Sequence, residues 1–127
     1  MPWMNFAAVG AGAALGAWTR WGLGLMLNAI QPSLPFGTLA ANLIGGFLIG
    51  IVMGLAEPMS LSITARLLIV TGFLGGLTTF SSFSAETVAL IMKGQLGWTL
   101  VIVVAHVAGS LLMTGAGVTL TRAVLAR

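Results

Sequence analysis

The sequence has no cysteine, no tyrosine and very few charged residues. Its 127 residues include five Lys or Arg, two Asp or Glu and one His. Without cysteine, disulfides, thiolate metal sites and thiol nucleophiles are excluded. Five scattered basic residues do not form a nucleic-acid surface, so we predict no nucleic-acid partner. Two carboxylates and one histidine, far apart in sequence, offer no pair of nucleophile and base, so we predict that the chain is not an enzyme.

Most residues of the chain are apolar. Hydrophobic residues make up 58% of the chain, and the mean hydropathy is +1.10. This composition excludes an ordinary soluble domain and predicts an all-α, multi-pass membrane protein in contact with lipid. Because one span takes about 20 apolar residues, the chain has room for four helices in one domain, residues 1–127, and for little else.

The four predicted spans cover about residues 4–28, 37–56, 63–92 and 96–120. Glu57 and Pro58 end the second span, and Ser60 or Ser62 can cap the third. As one helix the third span would be roughly 45 Å long, well above the thickness of the hydrocarbon core. We therefore predict that it is interrupted within 72–79, where glycines are followed by β-branched threonines.

The second span contains Asn42 with Gly46, Gly50 and Gly54 at successive i+4 positions. These four residues share one helical face, and the glycines predict close backbone contact with another helix. The Asn42 amide can donate hydrogen bonds to an anion, or it can join two helices. The sequence leaves both interpretations open.

Polar residues also line one face of the fourth span, namely His106, Ser110, Thr114 and Thr121. Their side chains either form a polar track along the helix, or they pack without water while the hydroxyls bond to the carbonyl one turn back. A single histidine without Cys, Asp or a second His does not build a typical zinc site. A structural or pore-mouth role for His106 is therefore favoured.

The segment after the predicted interruption combines two aromatic residues with hydroxyls. Phe80 and Phe83 share a helical face, as do Ser81 and Ser84. Phenyl rings carry a partial positive edge that can contact an anion, although two such rings more often fill a core. Gly75 and Thr78 flank the interruption, and carbonyls freed there can bind Na⁺; a glycine hinge without an ion is the alternative.

The charges near the membrane surface are almost balanced. With the N-terminus inside, Arg66, Arg122 and Arg127 lie inside, whereas Arg20 and Lys93 lie outside. This balance permits insertion in both orientations, although a small protein also simply has few loop charges. Arg20 can anchor the helix at the interface or attract anions to a vestibule.

Four segments together resemble the Fluc family of fluoride channels, also called CrcB proteins. These segments are Gly12–Trp21 (GAALGAWTRW), Gly37–Gly46 (GTLAANLIGG), Gly72–Phe83 (GFLGGLTTFSSF) and His106–Thr114 (HVAGSLLMT). The resemblance implies a fluoride-selective channel that exports fluoride passively. It also implies an antiparallel, dual-topology homodimer of four-span chains with two pores.

The same resemblance implies roles for individual residues. The positions that match the fluoride pore are Asn42, Phe80, Phe83, Ser81, Ser84, Ser110 and Thr114. Arg20 matches the vestibule arginine, and Glu86 matches an acidic position near the pore. Gly75 and Thr78 match the positions whose backbone carbonyls hold a structural Na⁺ at the dimer interface. The fourth span lacks the aromatic hydroxyl that the family often has there.

Two other functions are compatible with a small four-helix membrane chain. One is a dual-topology exporter of the small multidrug type. Such an exporter needs a carboxylate in its first span for coupled transport, and the first span of this chain has none. The other is a structural subunit of a larger membrane complex, for which the glycine stripes would suffice.

Overall fold

The computed structural model describes residues 2–55 and 60–127, and this part of the chain is helical without strands. The elements are α1 (Pro2–Leu27), α2 (Phe36–Leu55), α3 (Ile63–Arg66), a π-helix (Leu67–Leu74), α4 (Gly75–Leu77), α5 (Phe80–Met92) and α6 (Leu96–Leu125). Pro2 begins α1 at the position where a proline costs no hydrogen bond. Ser62 caps α3 by accepting a hydrogen bond from the Ala65 amide at 3.1 Å, as predicted.

The predicted bounds differ from the observed ones mainly at the chain's two ends. The fourth helix runs to Leu125 and thus continues beyond the predicted end of the fourth span at about residue 120. Arg122 lies inside the last turn, where a cation interacts favourably with the free carbonyls of the helix. Asn28 lies outside the first helix, which ends at Leu27. The predicted end of the second span at residue 56, with Glu57 and Pro58, lies outside the described residues.

Three stretches of the described chain are long and apolar enough to cross a membrane: Phe36–Leu55, Ile63–Met92 and Leu96–Leu125. The protein is therefore an all-helical membrane protein. The helix α1 has 26 residues, which exceeds the length that a bilayer requires, but it is not one of the three apolar stretches.

The third stretch is interrupted, as predicted, but over a shorter segment than 72–79. Only Thr78 (φ −84°, ψ 152°) and Thr79 lie outside the helices there, and Thr79 (φ −150°, ψ 115°) begins the next helix as its cap. Gly72, Gly75 and Gly76 stay helical. The reason is packing: a Cβ at Gly76 would overlap the backbone of α1, and one at Gly72 would lie 2.9 Å from a carbonyl there. Gly72 and Gly76 therefore allow close contact with α1, and they do not unwind the third stretch.

The helices α2 and α6 also pack through glycines. A Cβ added to Gly50 would overlap the carbonyl of Thr114, and one added to Gly117 would overlap the carbonyl of Phe47. The predicted close backbone contact along the α2 glycine face is thus confirmed. Because the two backbones touch, polar side chains on these helices lie within hydrogen-bond distance of each other.

Candidate functional site

Asn42 holds the interruption between α4 and α5. Its Oδ1 accepts a hydrogen bond from the Thr79 amide at 2.8 Å, and its Nδ2 donates to the Thr79 carbonyl at 3.0 Å. The Thr79 hydroxyl in turn accepts from the Ser82 amide at 3.0 Å and caps α5. One side chain of α2 therefore replaces the helix hydrogen bonds that Thr79 would otherwise make.

These contacts free two carbonyls. In an α-helix the Gly75 carbonyl would accept from the Thr79 amide, which here donates to Asn42. The Thr78 carbonyl would accept from the Ser82 amide, which here donates to a hydroxyl. The two carbonyls predicted as Na⁺ ligands therefore lack their usual helical donors, and Gly75 lies on the exposed surface of the single chain.

His106 is a buried polar residue of α6, with 3% of its surface exposed. Its Nδ1 lies 3.0 Å from Asn42 Nδ2. Its ring stacks on Phe83 at a centroid distance of 4.6 Å and an interplanar angle of 28°. Phe83 contacts Phe80 edge to face at 5.5 Å and 76°. The two phenyl rings thus continue a row of ring contacts from the buried imidazole to Phe80, which is 77% exposed.

The hydroxyls predicted to line a pore differ in their surroundings. The Thr114 hydroxyl donates to the Gly46 carbonyl at 2.9 Å, so its proton is used in helix packing. Ser81 and Ser84 lie on the exposed face of α5, and Ser81 Oγ is 3.3 Å from the Thr79 hydroxyl. Ser110 is half-buried, one turn after His106.

A cavity of about 520 Å³ brings most of these residues together. The predicted site residues that line it are Asn42, Gly75, Thr78, Phe80, Phe83 and Ser110, together with His106. Thr114, Ser81 and Ser84 do not line it. The cavity combines apolar walls and ring edges with a few hydrogen-bonding groups, which suits a small, partly dehydrated ion.

Arg20 and Glu86 line a second cavity of about 390 Å³. Arg20 Nε donates to the Gly76 carbonyl at 3.1 Å, so its guanidinium is tied to the segment before the interruption. Glu86 Oε2 accepts from the Thr38 hydroxyl at 2.6 Å, while its buried Oε1 has no partner among the described residues. The cavity thus holds one cation and one carboxyl group, consistent with a polar vestibule.

Three residues of these sites were not singled out from the sequence. Thr79 holds the interruption, Thr38 binds Glu86, and Asn28 Oδ1 accepts from the amides of Gly37 at 2.8 Å and Thr38 at 3.2 Å. Thr38 and Thr79 carry no sequence signal beyond an ordinary hydroxyl. Nothing in the spacing of the loop between α1 and α2 indicates that Asn28 reaches across it.

Comparisons with known proteins agree on one family. The family model for "CrcB-like protein, Camphor Resistance (CrcB)" matches residues 7–118. The chain is 59% identical over 112 residues to the "Fluoride-specific ion channel FluC" of Nitrosospira multiformis, covering 87% of this chain and 88% of the relative. A protein of that name from Pseudomonas putida is 58% identical over 115 residues, covering 89% of this chain and 90% of the relative.

Proposed function

The chain belongs to the CrcB-like family, and from this premise we propose that it is a fluoride-selective channel that lets fluoride leave the cell passively. The observation that carries the proposal is the cavity where the two phenyl rings, Ser110 and His106 meet. The relatives, at more than half identity, are named fluoride-specific ion channels. Conduction of this kind is not an enzymatic activity, in agreement with the sequence-based prediction.

The physical basis of selectivity is the replacement of water around a small anion. Fluoride is strongly hydrated, so a narrow pathway must offer donors in place of that water, and larger anions are excluded by size. Ring edges of Phe80 and Phe83 and the hydroxyls of Ser81, Ser84 and Ser110 provide such donors, whereas the Thr114 proton is used in helix packing. The sequence contains no GxxxxGK[ST] nucleotide-binding motif, so flow follows the electrochemical gradient.

The functional unit in this proposal is an antiparallel homodimer of four-span chains in the inner membrane, with two pores. Phe80, Ser81, Ser84 and Gly75 are exposed in the single chain. A second copy would cover them and turn an open cavity into an enclosed one. The balance of three basic residues to two on the two sides permits the opposite orientations that such a pair requires.

A structural Na⁺ at the dimer interface fits the freed carbonyls of Gly75 and Thr78. Both are uncharged oxygen ligands without their helical donors, and each subunit would contribute a pair. No group of three His, Cys, Asp or Glu that suits a metal of another class occurs within residues 2–55 and 60–127. When bound, the cation would compensate carbonyl dipoles that are otherwise costly to bury.

The experiment that tests the function is ion efflux from liposomes that contain the purified protein. We expect fast, protein-dependent release of fluoride and little release of chloride, measured with electrodes selective for each ion. Protein-free liposomes are the control. Equal release of the two anions, or no release of fluoride, would refute the proposal.

The dimer and its cation are tested separately at Gly75. An added Cβ there would contact only the Val70 carbonyl at 3.7 Å, which is an ordinary distance, so the single chain accommodates a larger residue. We therefore expect Gly75→Leu to keep its helicity but to lose dimerisation and the dependence of dimer stability on Na⁺. Gly115→Leu, at a position with open space, is the matched control. A Gly75→Leu dimer that responds to Na⁺ as the parent does would contradict this placement.

A further inference from the structure

Gly45 of α2 lies against the interruption, where its missing side chain makes room for Thr78. Gly45 is buried, and a Cβ added to it would overlap the Cγ2 methyl of Thr78, whereas Leu77 Cδ2 would lie at an ordinary 3.9 Å. The Thr78 methyl therefore occupies the space that a side chain at position 45 would fill. At this contact α2 touches a residue whose carbonyl is one of the predicted Na⁺ ligands.

The Thr78 methyl is held in this place by the other contacts of its own residue. Its branched Cβ restricts the side chain to few rotamers. The Thr78 hydroxyl donates to the Leu74 carbonyl at 2.8 Å, and the Thr78 amide donates to the same carbonyl at 3.0 Å. Because the methyl and the hydroxyl share one Cβ, turning the methyl away from Gly45 would break the hydroxyl bond.

The direction of the Thr78 carbonyl is also determined by α2. This carbonyl and the Thr79 N–H belong to one trans peptide group, in which the two point in opposite directions. The Thr79 N–H donates to Asn42 Oδ1 of α2 at 2.8 Å, so the Thr78 carbonyl points away from α2. Gly45 follows Asn42 by three positions, on the same side of the helix. The hydrogen bond therefore sets the direction of the carbonyl, and the methyl contact sets its distance from α2.

We propose that Gly45 is a positioning residue of the cation site, because it lets the Thr78 methyl lie against α2 and thereby places the Thr78 carbonyl for the ion. The proposal rests on the dimer and the structural Na⁺ proposed above. A site built only from backbone oxygens of two subunits has no side chain that adjusts to a displaced ligand. If the Thr78 segment moved away from α2 by the width of a methyl group, Na⁺ binding and dimer stability would fall together.

The test transfers one methyl group across this contact. Gly45→Ala adds a methyl that overlaps the one of Thr78, and Thr78→Ser removes the latter while keeping the hydroxyl bond to Leu74. In the double variant the alanine methyl takes the place of the threonine methyl, so the packed volume is conserved. The quantity measured is the Na⁺ midpoint, the Na⁺ concentration at which half of the protein sediments as a dimer in detergent, with a large organic cation replacing Na⁺.

The expected result is mutual rescue. Gly45→Ala should raise the Na⁺ midpoint about tenfold or more, and Thr78→Ser should change it about threefold or less. The double variant should return to within about threefold of the parent, which two independent substitutions would not do. A Gly45→Ala dimer with the midpoint of the parent would overturn the proposal, because Thr78 would then have turned without moving its carbonyl. A double variant no better than Gly45→Ala would overturn it as well.

Gly54→Ala is the matched control for a loss of helix packing alone. Gly54 lies on the same helix, and a Cβ there would lie 2.7 Å from the Cβ of Thr121 in α6, away from the interruption. We expect this variant to unfold more readily in a denaturing detergent but to keep the Na⁺ midpoint of the parent. Equal midpoint shifts in Gly54→Ala and Gly45→Ala would contradict the specific role of the Thr78 contact.

Fluoride efflux from liposomes separates this proposal from the channel itself. A parent protein whose dimer responds to Na⁺ but that releases no fluoride would refute the channel and leave the role of Gly45 intact. A parent dimer that is indifferent to Na⁺ would refute the cation site and, with it, the role of Gly45.

Discussion

Replacing Asn28 removes a helix cap that is supplied from across a loop. The helix α2 begins at Phe36, so the amides of Gly37 and Thr38 are among those that have no partner within the helix. Asn28 Oδ1 accepts from both, at 2.8 Å and 3.2 Å. Asn28→Leu keeps a side chain of similar size and loses the acceptor. Loss of a capping side chain costs about 1–2 kcal/mol, or roughly a five- to thirtyfold change in the folded-to-unfolded ratio.

The assay for this prediction is unfolding in mixed micelles of mild and denaturing detergent, followed by circular dichroism. Asn28→Asp retains the acceptor and adds a negative charge at the start of α2, which favours the helix, so it should unfold like the parent. The reasoning is refuted if Asn28→Leu unfolds like the parent, or if the Leu and Asp variants lose equal stability.

Two further substitutions and one exchange of cation test the helix contacts and the freed carbonyls. Gly50→Val should prevent α2 from packing on α6, because its Cβ would overlap a carbonyl, and should lower the free energy of unfolding by several kcal/mol. The control is Gly97→Ala, at a position with open space, which should unfold like the parent in the same detergent titration. Thr114→Val should cost about 1 kcal/mol through loss of its 2.9 Å bond to α2, with Thr119→Val on the exposed face as its control. Replacing Na⁺ by a large organic cation should lower dimer stability and flux of the parent, while Gly75→Leu, already without the site, should not respond.

The helices could be predicted from the sequence because hydropathy and breakers report local properties. The third stretch ends at Met92 as predicted, and Gly94 beyond it has φ +71°, a conformation that glycine adopts without strain. The π-helix was not predicted, because an extra residue per turn leaves no mark on an all-apolar stretch. The helix α6 continues to Leu125, beyond the apolar span predicted from hydropathy, and Arg122 lies in its last turn, where a cation stabilises the helix.

Four of the residues predicted for the pore, at positions 42, 80, 83 and 110, line one cavity. Their role in the pore stays a prediction. The hydrogen bonds among them could not be predicted, because Asn42 meets Thr79 and His106 only after three helices have packed together. The Thr114 hydroxyl donates to the Gly46 carbonyl of α2 rather than to the carbonyl one turn back in its own helix, and neither alternative weighed from the sequence included this contact.

The π-helix has a consequence for changes in chain length. A π-helix contains more residues per turn than an α-helix between the same two ends, so Leu67–Leu74 holds spare chain. If one residue is deleted from this segment, its wide turns can contract to α-helical turns between the same two ends. The same deletion in α6 would rotate every later side chain by roughly 100° and move it by about 1.5 Å along the axis. Single-residue deletions scanned along the chain should therefore be best tolerated, among the long helices, within Leu67–Leu74.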